Sequence, residues 1–184
     1  MEMVDVFDEN NEFLGYSVTR DEAHEKNLWH RHASSWIMNY DGEILLQQRA
    51  FTKKKNPGKW AKTGGHVDKG ETPKDAVKRE VYEEIGLELN DNDIKEIGFF
   101  KSTNPNEHYF SYGYLVITNY KENEFVLQKE ELNSVKYFKI EELEDYKRKN
   151  DDNFTFSKWD DDDFFNQMKE LKEYRNKLKN KNEV

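Results

Sequence analysis

The strongest constraint on the fold is a glycine-rich segment that is followed directly by a well-delimited helix. Glycines stand at positions 64, 65 and 70, and they allow the backbone to turn sharply because glycine carries no Cβ. Thr72 and Pro73 then supply an N-cap and a first-turn proline, and Gly86 is a typical C-terminal glycine. The sequence therefore predicts a tight loop and then a helix of about four turns.

The predicted helix has two different faces. One face is an apolar stripe that would pack on a core: Val77, Val81 and Ile85. At about 100° per residue, three glutamates share an arc beside that stripe: Glu80, Glu83 and Glu84. Like charges so spaced destabilise a helix by roughly a few tenths of a kcal/mol, a cost that a divalent cation would reverse. Oxygen ligands favour magnesium or manganese over zinc. A solvated acidic face is the alternative, and Arg79 can orient the cluster by pairing with Glu83 or Glu71.

The remaining pattern mixes hairpins with helices, which indicates a mixed sheet with helices on its faces. We expect an N-terminal hairpin of residues 4–7 and 13–16, a short helix through about Asn27, and a second hairpin of residues 35–38 and 44–46. Further strands are predicted at residues 94–101, 109–118 and 134–138 and a helix at 140–146. A C-terminal helix is predicted at residues 159–181, with four aspartates near its start, where the helix dipole favours negative charge.

Composition limits the classes of function. The chain has no cysteine, which excludes thiolate nucleophiles and cysteine-ligated metals. Its net charge of −9 disfavours nucleic acid polymers and anionic membranes as partners. No apolar stretch approaches the roughly 18 residues that span a bilayer, and the N-terminus lacks the pattern of a secretory signal. We expect a cytoplasmic enzyme, monomer or homodimer, with a small-molecule substrate.

Residues 65–87 resemble a known family signature. Gly65, Glu71, Arg79-Glu80-Val81, Glu83-Glu84 and Gly86-Leu87 match every fixed position of the 23-residue Nudix box. The resemblance implies an α/β (α+β) fold, an α/β/α sandwich with a mixed sheet, whose box forms a metal-binding loop, helix and loop. The family hydrolyses a diphosphate linked to another group. We interpret residues 1–184 as one such domain, with an N-terminal extension over residues 1–33 that carries the β-hairpin.

The resemblance also implies roles for individual side chains. The metal ligands would be Glu80, Glu83 and Glu84, and the catalytic carboxylates would be Glu83, Glu84 and Glu131. Glu71 and Arg79 would orient the ligands. Substrate contacts would come from Arg49, Trp60 and Gly65. Plain alternatives stay open: a surface cation for Arg49, core packing for Trp60, and an exposed loop glutamate for Glu131. The loops at residues 103–108 and 121–131 are expected to influence the choice of substrate.

A second resemblance points to the Nudix branch that includes isopentenyl diphosphate isomerase. It rests on residues 4–8 and 19–24, on His30, on residues 34–36 and on the later pair Gly65-His66. In those isomerases, histidines near these positions bind a metal, which makes His24, His30 and His66 a candidate second metal site; hydrogen-bonded imidazoles are the alternative. The isomerases use a cysteine where this chain has Gly64. Hydrolysis is therefore the leading hypothesis, with isomerisation and a non-catalytic metal- or nucleotide-binding module as alternatives.

Overall fold

The computed structural model describes residues 2–102 and 107–182. Most of the predicted substrate loop at 103–108 therefore lies outside the described residues. Nine strands and four α-helices are found in the described ranges. The strands are β1 Met3–Phe7, β2 Phe13–Thr19, β3 His30–Asn39, β4 Ile44–Arg49, β5 Trp60–Ala61, β6 Thr63–His66, β7 Ile94–Lys101, β8 Tyr109–Thr118 and β9 Leu132–Phe138. The helices are α1 Arg20–Glu25, α2 Pro73–Ile85, α3 Ile140–Arg148 and α4 Asp161–Asn182.

Strand β3 organises the mixed sheet. It runs parallel to β8 along its whole length, from the pair His30 and Tyr109 to the pair Asn39 and Thr118. Its other edge is shared, because β6 pairs with its first half and β4 with its second half, both antiparallel. Strands β5 and β9 add to β4, and β7 adds to β8. The ends of β3 and β6 thus lie side by side just before helix α2.

Two apolar clusters cover the two faces of this sheet. On one face, helix α2 packs through buried side chains such as Val77, Val81 and Ile85. On the other face, α3 and α4 pack through Leu143, Phe164 and other residues of the second cluster. The molecule therefore has the predicted α/β/α layering, with a mixed sheet between the helices. The N-terminal hairpin β1–β2 forms a separate two-stranded sheet with its own small apolar cluster.

Most local predictions are confirmed. The N-terminal hairpin, the hairpin of β3 and β4, strands β7 and β8, and helix α2 occur where the sequence predicted them. The C-terminal helix begins at Asp161, two residues later than predicted, because Asp160 caps it: its Oδ1 accepts hydrogen bonds from the amides of Asp162 and Asp163 at 3.0 and 3.2 Å.

One local prediction is wrong. Gly64 and Gly65 lie in strand β6 and pair with β3, so they do not form part of the turn before α2. The turn comes later, around Gly70, whose φ of 76° is in the left-handed region that favours glycine. Pairing with a central strand overrides the flexibility that two successive glycines suggest.

Within the described ranges, no helix is both long and apolar enough to cross a membrane.

We predict that Phe164→Ala destabilises the protein by about 3–5 kcal/mol, because Phe164 is fully buried between α4 and the sheet and truncation leaves a cavity. The matched control is Phe13→Ala. Phe13 is 53% exposed, so its loss should cost less than about 1 kcal/mol. Urea denaturation measures both values. Equal losses would contradict the docking of α4 on the sheet.

Candidate active site

Helix α2 is fixed at both ends as its sequence predicts. The Thr72 hydroxyl accepts a hydrogen bond from the Asp75 amide at 3.2 Å, and Pro73 opens the first turn. Gly86 closes the helix with φ of 70°, and its amide donates to the carbonyl of Tyr82 at 2.9 Å. These caps set the rotation and the length of the helix that carries the three glutamates.

Arg79 joins the helix to the loop and to strand β6. Its Nε and Nη2 donate to the two oxygens of Glu71 at 3.1 and 3.0 Å, a bidentate pair. Nη2 also donates to the carbonyl of His66 at 2.9 Å. Nη1 lies 2.8 Å from a carboxylate oxygen of Glu80 and 3.4 Å from one of Glu83. The orienting role predicted for Arg79 and Glu71 agrees with these contacts.

Glu80 lies against Gly65 of strand β6. A Cβ built on Gly65 would collide with the carboxylate of Glu80. Gly65 therefore gives room to the glutamate, which explains its place in the pattern without any contact to a substrate. Burial raises the pKa of Glu80, and the hydrogen bond from Arg79 opposes this rise.

Glu84 is the most deeply buried of the three glutamates, at 7% exposure. Gln47 of strand β4 donates to its Oε2 at 2.9 Å, and the hydroxyl of Thr63 donates to Gln47 Oε1 at 3.1 Å. Burial raises the pKa of Glu84 to about 8, with further contributions from the charges of Glu80 and Glu131. A buried carboxylate among other carboxylates is a position where a cation would be strongly favoured.

Glu131 and Arg49 lie on the same side as Glu84. Glu131 forms an ion pair of 2.6 Å with Lys53, and its charge contributes to the raised pKa of Glu84. Arg49 opposes that rise, so its charge also acts on Glu84. Its Nε donates to the carbonyl of Lys55 at 3.1 Å, which ties it to the basic loop between β4 and β5. The structure thus brings these three predicted residues into one electrostatic neighbourhood.

The three glutamates of α2 do not converge on one point. Glu80 and Glu83 turn toward Arg79, whereas Glu84 turns toward Gln47. Glu83 is also half exposed, with 52% of its side chain open to solvent. A bound cation would have to draw these carboxylates together.

A different group of side chains does converge. Within residues 2–102 and 107–182, His24, His30 and His66 are the one group of three or more side chains that could place ligand atoms within 4.8 Å of one another. Nε2 of His24 and Nε2 of His66 are 2.9 Å apart. His30 is 2% exposed, and its Nδ1 lies 2.9 Å from the carbonyl of Leu28, which orients the ring. Burial lowers the pKa of all three imidazoles and so favours the neutral form that can bind a metal.

Trp60 lies on the face of the sheet opposite to Glu84. It pairs with Gln48 in the register of β4 and β5, whereas Gln47 faces Glu84. Its ring packs edge to face on Phe138, with the ring centroids 5.2 Å apart. Trp60 therefore lies away from the carboxylate site and packs on the core as the alternative describes, and its contact with a substrate stays a prediction.

Sequence reasoning missed several partners of the predicted residues. Gln47 holds Glu84, Lys53 holds Glu131, and the ring centroid of His32 lies 4.9 Å from that of His66. Alternate spacing predicts that His30 and His32 share a face if their segment is extended, and strand β3 confirms this; the contact of His32 with His66 was not predicted. The partners of Glu84 and Glu131 are 37 and 78 residues away in the chain and carry no local signal.

A family model for the NUDIX domain matches residues 28–159. The chain belongs to the Nudix family. Nudix hydrolase 3 of Arabidopsis thaliana is 32% identical over 160 residues, which is 82% of this chain but 21% of that protein, so the chain spans about a fifth of this relative. An isopentenyl-diphosphate Delta-isomerase of Serratia proteamaculans is 29% identical over 157 residues, covering 84% of this chain and 86% of that protein.

A solved Nudix structure has the same fold: the crystal structure of a MutT NUDIX hydrolase from Burkholderia pseudomallei matches with a TM-score of 0.51 at 24% identity, covering 61% of this chain and 84% of that one. The crystal structure of DR0079 from Deinococcus radiodurans matches with a TM-score of 0.65 at 21% identity, covering 77% of this chain and 86% of that one. The family model and the named hydrolase relatives support a Nudix hydrolase, an enzyme of a family that acts on diphosphate-containing compounds.

We predict that Arg79→Ala lowers the free energy of unfolding by about 2 kcal/mol or more, because Glu71, Glu80 and the His66 carbonyl lose their donor in a partly buried place. Lys78→Ala on the same helix is the control. Its ion pair with Asp91 is solvent-exposed, so the loss should stay below about 1 kcal/mol. The midpoint of urea denaturation tests both, and a larger loss for Lys78→Ala would overturn the central place given to Arg79.

Proposed function

We propose that this protein is a metal-dependent hydrolase that cleaves a phosphoanhydride bond in a small diphosphate compound, such as a nucleoside diphosphate derivative. The observation that carries the proposal is the buried carboxylate of Glu84 beside Glu80 and Glu131, on a helix held by Arg79. Such a group is costly to keep charged unless a cation neutralises it. The interpretation of residues 1–184 as one domain remains part of this proposal, supported by the packing of α4 on the sheet.

The donor set fits a hard divalent cation. Glu80 and Glu84 offer carboxylate oxygens in a partly dehydrated place, and Glu83 adds a third that can turn in from the solvent. Magnesium or manganese bound there would neutralise the diphosphate and orient a water molecule toward phosphorus. In the reaction, the water oxygen forms a bond to phosphorus and the bond from that phosphorus to the bridging oxygen breaks.

The side chains around this centre have separate tasks. Arg79 and Glu71 keep Glu80 in place through the bidentate pair. Glu131 accepts the proton of the attacking water, because its carboxylate is one-third exposed and lies near enough to Glu84 to affect its titration. Arg49 contributes positive charge for the phosphates and holds the basic loop through the carbonyl of Lys55.

We also propose a second divalent site at His24, His30 and His66. Its support is the convergence of three neutral imidazoles, one of them oriented by a backbone carbonyl. Nitrogen ligands suit manganese or zinc better than magnesium, which distinguishes this site from the carboxylate site.

Isomerisation of isopentenyl diphosphate is the second candidate, favoured by the histidine cluster and by the similarity to the Serratia isomerase. Against it, position 64 is glycine and the chain has no cysteine to move the proton. The negative charge of Glu107 opposes the lowering of the pKa of His24 and of His30. One carboxylate therefore lies near the histidine cluster.

The test of hydrolysis is a substrate panel of nucleoside di- and triphosphates, nucleotide sugars, dinucleotide polyphosphates and isopentenyl diphosphate, with magnesium or manganese. We expect release of phosphate or of a phosphorylated product from at least one compound, and a loss of about 100-fold or more in Glu84→Gln. The control is Glu88→Gln, an exposed glutamate just beyond the end of α2, which should keep the wild-type rate.

The panel also separates the alternatives. Conversion of isopentenyl diphosphate without release of phosphorus would favour the isomerase. Equal inactivity of the wild type and Glu84→Gln on every compound, together with retained metal binding, would favour a binding module.

The proposed histidine site should bind a metal independently of the carboxylate site. His24→Gln should weaken zinc or manganese binding by about 10-fold or more, because one of three ligands is lost. Glu84→Gln should leave that affinity unchanged. Isothermal titration of metal-free protein measures it, and equal zinc affinity in the wild type and His24→Gln would contradict the site.

A further inference from the structure

Lys62 is a cation that the proposed hydrolysis does not use. It occupies the single position between strands β5 and β6 and is half-buried. Its Nζ lies 5.2 Å from the ring centroid of Trp36 and 4.8 Å from that of Trp159. The two rings contact each other edge to face, with their centroids 6.2 Å apart, so both indoles lie on one side of the ammonium group, on the face of the sheet that α4 covers.

This cation has no anionic partner. In the part of the chain that the structure describes, neither a hydrogen bond nor an ion pair reaches Lys62 Nζ, although the protein carries 38 acidic residues. Burial lowers the pKa of Lys62 to about 8, and no carboxylate opposes that change. A lysine shielded from solvent is costly to keep charged without a counter-ion. A bound anion would lower that cost.

A second unpartnered group lies beside it. Ser34 is 5% exposed, and its Oγ has no hydrogen-bond partner among the described residues. Ser34 and Trp36 point to the same face of β3 because they are two residues apart. Ser35, the other buried hydroxyl without a partner, belongs to the opposite face. Gly64 lies opposite Ser34 in the pairing of β3 with β6 and has no side chain. Small residues thus separate Lys62 and Trp36 from His32 and His66.

The aromatic walls are held firmly. Lys147 is 3% exposed, and its Nζ donates to the carbonyl of Trp159 at 2.6 Å and to that of Ser157 at 3.1 Å. The indole nitrogen of Trp36 donates to Gln167 Oε1 of α4 at 2.9 Å. Helices α3 and α4 therefore fix the two rings next to Lys62. A ligand would meet a preorganised surface.

We propose that Lys62, Ser34, Trp36 and Trp159 form a slot that binds an anionic oxygen group, a carboxylate or a phosphate, on the part of the substrate that is not the diphosphate. Lysine and a hydroxyl supply donors for such oxygens, and the two indoles pack on one side of the lysine and leave its other side for the anion. The slot adjoins the histidine cluster, because the charge of Lys62 helps lower the pKa of His32.

The slot and the carboxylate site lie on the two sides of strand β6. Gly65 lies against Glu80 on the face that α2 covers, whereas Trp36, beside Lys62, belongs to the apolar cluster on the opposite face. A substrate that passes the end of β6 could therefore present its diphosphate to the glutamates and its second anionic group to Lys62. Naming this group as part of the substrate rests on the proposed hydrolysis, whereas anion binding in the slot does not.

The first experiment measures binding without catalysis. The fluorescence of Trp36 and Trp159 reports on the slot. The variant Trp159→Phe shows how much of the signal comes from Trp159. Metal-free protein is titrated with inorganic phosphate and, separately, with acetate, at constant ionic strength set by sodium chloride. We expect a saturable change with at least one of them. Lys62→Met should weaken it by about 10-fold or more, and Lys62→Arg should retain most of it.

Lys136→Met is the matched control, since Lys136 also lies over an aromatic ring, 4.9 Å from the centroid of Phe138, but is exposed and outside the slot. It should bind the probe like the wild type. If Lys62→Met does not fold, Ser34→Ala replaces it and should also weaken binding of the probe, because one donor is lost. The absence of a saturable change, or the same affinity in Lys62→Met, would overturn the slot and leave Lys62 as a lysine stabilised by the two indoles alone.

The second experiment tests the substrate assignment. UDP-glucose and UDP-glucuronate differ by one carboxylate, and NADH and NADPH differ by one phosphate. In the pair that matches the anion found by fluorescence, we expect the more anionic compound to have the higher kcat/KM, and Lys62→Met to remove about 10-fold of that preference. A preference unchanged in Lys62→Met would overturn the assignment. If neither compound is hydrolysed, the proposed function fails for them while the fluorescence result still decides the slot.

Discussion

The geometry of the acidic site depends on the guanidinium of Arg79. One planar group with five donors holds the loop through Glu71, strand β6 through the carbonyl of His66, and the helix through Glu80. A lysine could not make these contacts together, because its ammonium group is a single point of charge. Since the three segments meet at this one side chain, the carboxylates of α2 are placed relative to the sheet with little freedom.

Local features of the fold could be predicted because their causes are local. The ends of α2 follow from Thr72, Pro73 and Gly86, and each of these residues forms the predicted cap or turn. The arc shared by Glu80 and Glu84 follows from helical periodicity alone. The family signature added the expectation of a sandwich, and the sheet between α2 and α4 has that form.

The rest of the site depends on contacts between distant parts of the chain. The hydrogen bond from Gln47 to Glu84 requires α2 to pack on β4, and the ion pair of Lys53 with Glu131 requires β4 to pair with β9. The same holds for the histidines, which come from α1, β3 and β6. Strand β6 itself was missed because two successive glycines favour a turn locally, whereas pairing with β3 decides their conformation. The failure of the glutamates to converge also has a non-local cause, since Gln47 and Arg79 attract them in different directions.

The two glycines of β6 have a consequence for communication across the molecule. Gly64 and Gly65 add no side chain to the strand: Glu80 lies against Gly65 on the face covered by α2, and the backbone of Ser34 on the paired strand lies against Gly64. A small displacement of the strand by a guest on either side must alter the space on the opposite side. If ligands bind on both sides, a shift of β6 that one of them causes would change the affinity for the other, and thermodynamic reciprocity would make the two changes equal in factor.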